Sequence, residues 1–303
     1  MEITFLGTSS AVHSYTRSHP SIAIKAFGET MLFDCGEGTQ RQLIFAKISP
    51  MKISKIFISH YHGDHILGIP GLLQSMNFRG RETKLTIYGP KGLYDLKEAV
   101  NNLGFPNFDF PLEWIEIDTG TIIENEEYVI KAQKVRHNAP TLAYSIEELK
   151  KPRFQRQKAI ELGVPVGPDF GKLHKGIAVE INGKVIKPEQ VLGPPRKGHK
   201  LTYSGDTMPC EEMIEFAKES SLLIHESTYK NEDKDKAEQH AHSTSVDAAY
   251  IALQSNSKEL ILTHISTRYT EIDDLLKEAR EIFENTKIDK DLMKVELKND
   301  NSD

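Results

Sequence analysis

The apolar run Lys55-Ile56-Phe57-Ile58-Ser59 leads directly into His60-Tyr61-His62-Gly63-Asp64-His65. The run reads as a buried strand bounded by turn chemistry. At a strand end, residues two apart point to the same side, so His60 and His62 can reach one metal ion together. Gly63 frees the backbone to turn. Asp64 and His65 then open the next segment, where they can face a second ion. Imidazole nitrogen mixed with carboxylate oxygen suits zinc, with manganese or iron(II) as substitutes. A histidine-rich surface turn without metal is the bland alternative. Three histidines and an aspartate packed this densely behind an apolar strand argue against it.

A metal site of this kind needs a fold that brings several strand ends together, and the chain is long enough to provide one. Its 303 residues can bury a large core, and 38% hydrophobic with 27% charged residues is ordinary for a globular protein. No apolar run approaches the length of a membrane span, and a strand begins almost at once with Ile3–Leu6. Cys35 and Cys210 are too few for a disulfide framework, so a cytoplasmic setting is expected, with Cys35 packing as a small apolar residue.

Strands are expected at Ile3–Leu6, Ser21–Ala26, Met31–Phe33, Lys55–Ile58, Lys84–Tyr88, Leu112–Ile117, Tyr128–Val135 and Leu142–Ile146. Helices are expected after Gly38, after His65 and over Leu93–Asn101. After a further strand at Lys200–Ser204, helices over Glu211–Glu219, Ser245–Gln254 and Asp273–Asn285 alternate with strands at Leu222–His225 and Leu260–Thr263. Ser245 is the candidate N-cap of its helix. Each half runs strands then helices, which predicts an α/β protein of two packed sheets flanked by helices.

Residues 147 to about 198 break this pattern, with Pro152, Pro165, Pro168, Pro188, Pro194 and Pro195 and few large apolar side chains. They read as an inserted arm and not as a second packed domain. The surrounding domain would run over 1–298, with a disordered tail at 299–303. The net charge is −6, yet Lys150, Lys151, Arg153, Arg156 and Lys158 form a run with no acidic residue. A local reversal of charge sign is a binding signal for an anionic partner, nucleic acid included.

Two ions need more ligands than the first cluster supplies. His137, Asp206 and His264 each follow an expected strand and are candidates to complete the set. His242 and Glu226 carry two readings. As a pair, the carboxylate would orient the imidazole for general-acid work; singly, they are a helix-start residue and a strand-end acid. His225 reads as a core histidine, and His13, His19, His174, His199 and His240 as surface or loop residues.

With these residues in hand, the chain resembles the metallo-β-lactamase superfamily through its HxHxDH signature, and more narrowly the ribonuclease Z family. The narrower likeness rests on Phe5–Ser10, Leu32–Gln40, Gly68–Leu72, Ser204–Thr207, His225–Tyr229, His242-Ser243-Thr244, Leu262–Ser266 and Gly167-Pro168. It implies an αββα sandwich with an inserted tRNA-binding arm. It further implies two zinc ions per subunit, one on His60, His62 and His137, the other on Asp64, His65 and His264, with Asp206 bridging. Asp64 would take the proton of the attacking water, and His242 steered by Glu226 would protonate the leaving oxygen. The implied activity is removal of the 3′ trailer from precursor tRNA by a homodimer whose arm grips the RNA through Gly167, Pro168 and the basic run. Another dinuclear-zinc hydrolase of the same fold, acting on a small ester or phosphodiester, is the alternative. The loop after the first strand departs from the family's PTKxRN pattern. It reads His13-Ser14-Tyr15-Thr16-Arg17-Ser18 and keeps only Arg17, a candidate substrate contact. That departure bears on where the cut falls and on rejection of CCA ends, not on the metal chemistry.

Overall fold

The computed structural model describes residues 1–104, 108–194 and 196–298. The tail expected to be disordered, 299–303, and Pro195 of the arm lie outside the described residues. The chain divides into two compact units, Met1–Glu147 with His199–Asp303, and Glu148–Gly198.

In the first unit, β1 (Glu2–Gly7), β2 (Ser21–Ala26) and β3 (Glu29–Phe33) form an antiparallel meander. It continues in parallel through β4 (Ile53–Phe57), β5 (Leu85–Gly89) and β6 (Leu112–Glu116). The second sheet begins with β7 (Gly120–Glu124), β8 (Tyr128–Val135) and β9 (Thr141–Lys150). After the hairpin β10 (Val179–Ile181) and β11 (Lys184–Ile186), which belongs to the smaller unit, come β12 (Arg196–Tyr203), β13 (Leu222–Glu226), β14 (Leu260–Thr263) and β15 (Thr286–Ile288). The final strand, β16 (Lys294–Glu296), returns to the first sheet beside β1. The sheet orders are β16-β1-β2-β3-β4-β5-β6 and β15-β14-β13-β12-β9-β8-β7.

Strand alternation sorts the side chains into layers. Met31 and Phe33 of β3 and Phe57 of β4 face the second sheet, where the Phe33 ring stacks on Tyr144 and Tyr203 at 5.6 and 5.5 Å between centroids. Leu32 and Ile56 face the other way, onto α1 (Thr39–Phe45), α3 (Ile69–Phe78) and α4 (Leu93–Asn101); α2 (Gly63–Ile66) is a single turn. Leu223, Leu260 and Leu262 of the second sheet likewise pack on α7 (Glu211–Ala217), α9 (Ser245–Gln254) and α10 (Asp273–Ile282). The layers are helix, sheet, sheet, helix.

Three expectations change. The N-cap of α9 is Thr244, not Ser245: its side chain accepts from Asp247 N while Asp247 returns a bond to Thr244 N. That reciprocal capping box satisfies two amide donors, and Ser245 instead hydrogen-bonds Glu278. His199, expected at the surface or in a loop, lies half-buried within β12, while His19 lies in a loop as expected but is only 7% exposed. The segment 148–198 is not an unpacked excursion: α5 (Arg156–Glu161), α6 (Pro168–His174) and the β10–β11 hairpin enclose a core of Ala159, Val164, Leu173, Val179, Ile186 and Val191. The helix α8 (Lys234–His240) and the strands β7, β15 and β16 add elements the sequence pattern did not mark.

Candidate metal centre

The chemistry-bearing residues gather because strands of both sheets end at one edge. Asp34 follows β3, His60 and His62 follow β4, His137 follows β8, Asp206 follows β12, Glu226 ends β13 and His264 follows β14. The turn after β3 lies hard against α2. A Cβ on Gly36 would come 2.2 Å from Asp64 O, and one on Gly68 2.1 Å from Gly36 O, so only glycine allows this approach. Asp34 and His264 both hold positive φ (55° and 60°), a strained conformation that surrounding contacts must hold in place.

Hydrogen bonds fix which nitrogen each imidazole presents. His65 Nδ1 donates to Asp34 Oδ2 at 2.8 Å, and His137 Nδ1 donates to Ala241 O at 2.8 Å. His264 Nδ1 pairs with Thr228 Oγ1 at 2.8 Å and His60 Nδ1 with Ser59 Oγ at 3.0 Å. In each ring Nε2 is thereby left to face the cleft.

The remaining nitrogens then crowd one another. His60 Nε2 lies 3.0 Å from His62 Nδ1, which lies 3.3 Å from His137 Nε2. His65 Nε2 and His264 Nε2 are 3.3 Å apart. Asp206 Oδ2 lies 3.6, 3.4 and 3.4 Å from Nε2 of His60, His65 and His264, and Asp64 Oδ2 lies 3.4 Å from His264 Nε2. Lone pairs aimed at each other repel, but ligands about 2.0–2.1 Å from one tetrahedral zinc stand roughly 3.3 Å apart. The spacing is that of donors converging on cations. Asp206 Oδ1 is buried with no hydrogen-bond partner, an orphan that a metal would satisfy. The donors form one group of His60, His62, His137 and Asp206 and another of Asp64, His65 and His264. The seven residues expected as ligands from the resemblance therefore lie together, with His62, Asp64, Asp206 and His264 lining the cleft.

The electrostatics favour cations. Burial holds the His60, His62 and His137 rings below the ordinary histidine value, toward the neutral form that ligates. Burial would raise Asp206 and Asp64, but neighbouring histidines, His264 and His65 among them, outweigh it and keep both carboxylates ionised. At His65 the opposite pull wins: burial would lower it, yet Asp206 and Asp34 raise it well above its usual value. The carboxylates draw positive charge to this spot.

His242 and Glu226 come together as a pair. Glu226 is fully buried and its Oε1 lies 2.7 Å from His242 Nδ1, while Thr228 Oγ1 donates to Oε2 at 2.8 Å. Burial would lower His242, but the Glu226 carboxylate outweighs it and takes the imidazole up to about 9. The His242 turn is anchored by its own N–H to Ala237 O and by Ser243 Oγ to Thr207 O. His225 is a core residue, 0% exposed.

Several contributors were not singled out in the sequence. Asp34 accepts four bonds, from Ser59 N, Ser59 Oγ, His65 Nδ1 and Tyr203 OH. Thr228 links Glu226 to His264. Arg268 lies over the Tyr229 ring at 4.9 Å, on the wall of a cleft of about 540 Å³ that also holds Asp64, His242 and His240. An acid in the Phe33-Asp34-Cys35-Gly36 turn was the one visible signal for Asp34; for Arg268 there was none. His240, expected to be a surface or loop residue, is exposed at the end of α8 and also lines this cleft.

The expected substrate contacts divide. Arg17 is not presented to solvent: its side chain, 10% exposed, bonds Asp289 Oδ1 at 2.9 Å, Asp289 O at 2.8 Å and Thr8 O at 3.3 Å. Burial pushes the Asp289 carboxyl up to about 7 against the pull of Arg17. Arg17 thus anchors its loop to the C-terminal segment. In the smaller unit Lys151, Arg153, Arg156 and Lys158 are exposed, whereas the Lys150 ammonium is 3.8 Å from Glu148. Gly167 is extended and precedes Pro168 at the start of α6; a Cβ there would meet open space.

Comparison with known proteins supplies the remaining observation. A family model described as anti-Pycsar protein Apyc1 matches residues 1–147. The chain is 53% identical over 298 residues to a ribonuclease Z of Methanothermobacter thermautotrophicus, covering 98% of this chain and 97% of the relative. A ribonuclease Z of Methanosarcina acetivorans is 44% identical over 299 residues, with 98% of each chain covered. Among solved structures, the short form of human tRNase Z is similar with a TM-score of 0.70, 28% identity and coverage of 98% and 99%. The metallo-β-lactamase fold protein YhfI of Bacillus subtilis shares the fold, with a TM-score of 0.71 at 19% identity over 97% and 98% of the two chains. With likeness of this degree along almost its whole length, the chain belongs to the ribonuclease Z family.

Proposed function

We propose that this chain is a metal-dependent endoribonuclease that removes the 3′ trailer from precursor tRNA. It leaves a 3′-hydroxyl on the tRNA and a 5′-phosphate on the trailer. The observation that carries the reading is the convergence of imidazole and carboxylate donors at ligand spacing around Asp206 Oδ2, in a chain of this family. His60, His62 and His137 would hold one zinc ion, Asp64, His65 and His264 the other, and Asp206 would reach both; manganese or iron(II) could substitute. Such a pair, when bound, supplies an acidified water and neutralises charge on a phosphodiester.

The chain's own groups do the rest. Asp64, held ionised by its histidine neighbours, accepts the proton of the attacking water. His242 has Nδ1 committed to Glu226, so Nε2 is the nitrogen that can protonate the departing O3′. Glu226 orients that ring and does not touch the substrate. The unit Glu148–Gly198 would act as an arm inserted into a catalytic domain spanning 1–298. Its exposed Lys151, Arg153, Arg156 and Lys158, with Lys150 and the Gly167-Pro168 turn, would track RNA phosphates. Arg17 would serve the substrate through its loop.

We place the enzyme in the cytoplasm as a homodimer. The resemblance supports the dimer, and two buried free cysteines suit a reducing compartment. No helix among the described residues is long and apolar enough to cross a membrane. The test is incubation with a precursor tRNA and analysis of both new ends, with and without a chelator. A 3′-hydroxyl and a 5′-phosphate at the trailer junction, lost with chelator and restored by zinc, are expected. An intact precursor alongside rapid hydrolysis of a small ester would instead make it another hydrolase of the same fold.

A further inference from the structure

A second cluster of metal-ligating side chains lies outside the centre described above. His13, His19 and Glu37 place one donor atom each within 4.8 Å of the others. His13 Nε2 is 3.5 Å from Glu37 Oε2, and the two imidazoles stack at 3.7 Å between centroids with their planes 20° apart. His19 is the unusual member. It is 7% exposed, and neither ring nitrogen has a partner in hydrogen-bond geometry, although the Ala11 backbone is close enough to influence its protonation. A buried imidazole with both nitrogens unsatisfied is costly, and stacking on His13 satisfies neither of them.

His19 is also fixed in place. A Cβ on Gly7 would come 1.8 Å from His19 O and one on Gly36 2.6 Å from His19 Cβ, so the end of β1 and the turn after β3 are both glycine where they meet it. Ser18 O accepts from Thr8 N and Ser9 N, and Pro20 O accepts from Gly36 N. The side chains of His13 and Glu37 are 40% and 64% exposed and free to adjust. A rigid buried imidazole, a movable imidazole and a movable carboxylate make a set that can close around an ion by rotation of the exposed members.

The geometry points to a further divalent transition-metal site on His13, His19 and Glu37, separate from the Asp206 centre. Two imidazoles and one carboxylate are a zinc-type donor set with one coordination position left for water. An ion there would tie the loop carrying His13 to the turn carrying Glu37. Ser10, Ala11 and Val12 of the same loop line the cleft of the Asp206 centre, so the ion would hold one wall of that cleft. His13 stands where the loop leaves the family's PTKxRN pattern, which gives that departure a chemical role.

Metal counting tests this without reference to turnover. Tag-free protein equilibrated with micromolar free zinc is measured by elemental mass spectrometry, and amide exchange is followed over residues 10–18. Native protein should hold one more equivalent per chain than His13→Ala, and zinc should slow exchange in the loop of the native protein only. The same one-equivalent difference should persist when His13→Ala is added to Asp206→Ala, which separates this site from the first centre. Equal metal content in native and His13→Ala proteins would overturn the site. So would a difference that vanishes in the Asp206→Ala background.

Discussion

The strand-end cluster and the inserted unit are built on opposite principles. In the cluster, four imidazoles are each held by a hydrogen-bond partner of the fold: Asp34 holds His65, Ala241 O holds His137, Thr228 holds His264 and Glu226 holds His242. In the unit Glu148–Gly198, a small apolar core carries cations that project into solvent. Bond breaking needs donors positioned to a fraction of an ångström, which only buried partners provide. Gripping a phosphate backbone needs charge in the right region, and long side chains supply that without buried partners. The difference teaches that cutting and holding can be lost separately.

The largest effect expected is from Asp206→Ala. Removing the carboxylate that both groups share should lower turnover on precursor tRNA and on a small phosphodiester together, by at least about 10³-fold, with metal content falling in parallel. Deleting residues 150–195 should abolish tRNA processing yet leave small-phosphodiester hydrolysis within about twofold, since charge-mediated grip serves only the nucleic acid. Equal loss of both activities would merge the two regions into one. His242→Ala should reduce turnover by about 10²–10⁴-fold with metal content unchanged, the signature of a proton donor; metal loss would make it a ligand instead. Asp34→Asn should weaken metal binding about 10–100-fold by loosening His65, read by competition with a chromogenic chelator. Smallest, Arg153→Ala and Arg156→Ala should each cut the slope of log affinity against log salt by roughly one while leaving turnover at saturation intact. A change in turnover would place those residues in the cutting machinery.

The sequence exposed the cutting region far better than the holding region, for physical reasons. His60, His62, Asp64 and His65 stand out because four metal-binding side chains in six residues have few structural uses. His137, Asp206 and His264 could be found because α/β sites form at strand ends, where β8, β12 and β14 deliver them. Their orienting partners were hidden. Asp34 looks like any turn acid, Thr228 like any strand-end hydroxyl, and Ala241 contributes only a carbonyl, whose position comes from α8. That helix lies in a polar run whose one apolar residue is the buried Ala237, so hydrophobic periodicity could not announce it.

Arg17 shows the converse. Its presence in a family motif implied substrate contact, but only the folded chain reveals Asp289 beside it. The core of Glu148–Gly198 was missed because its small and branched residues are spread thinly among six prolines and many lysines, with no sustained period. The main layers were legible because β2, β8 and β14 are short apolar runs bounded by turn and polar residues. β15 and β16 are three residues each, too short to register.

Everything rests on the claim that the crowded nitrogens and carboxylates are ligands of two cations and not a network of neutral rings. Anomalous diffraction at the zinc edge, from crystals grown with zinc, tests it directly. The account predicts two peaks about 3.5–4 Å apart, one among His60, His62 and His137 and the other among Asp64, His65 and His264, both beside Asp206. A single peak, or none in this cleft, would contradict it.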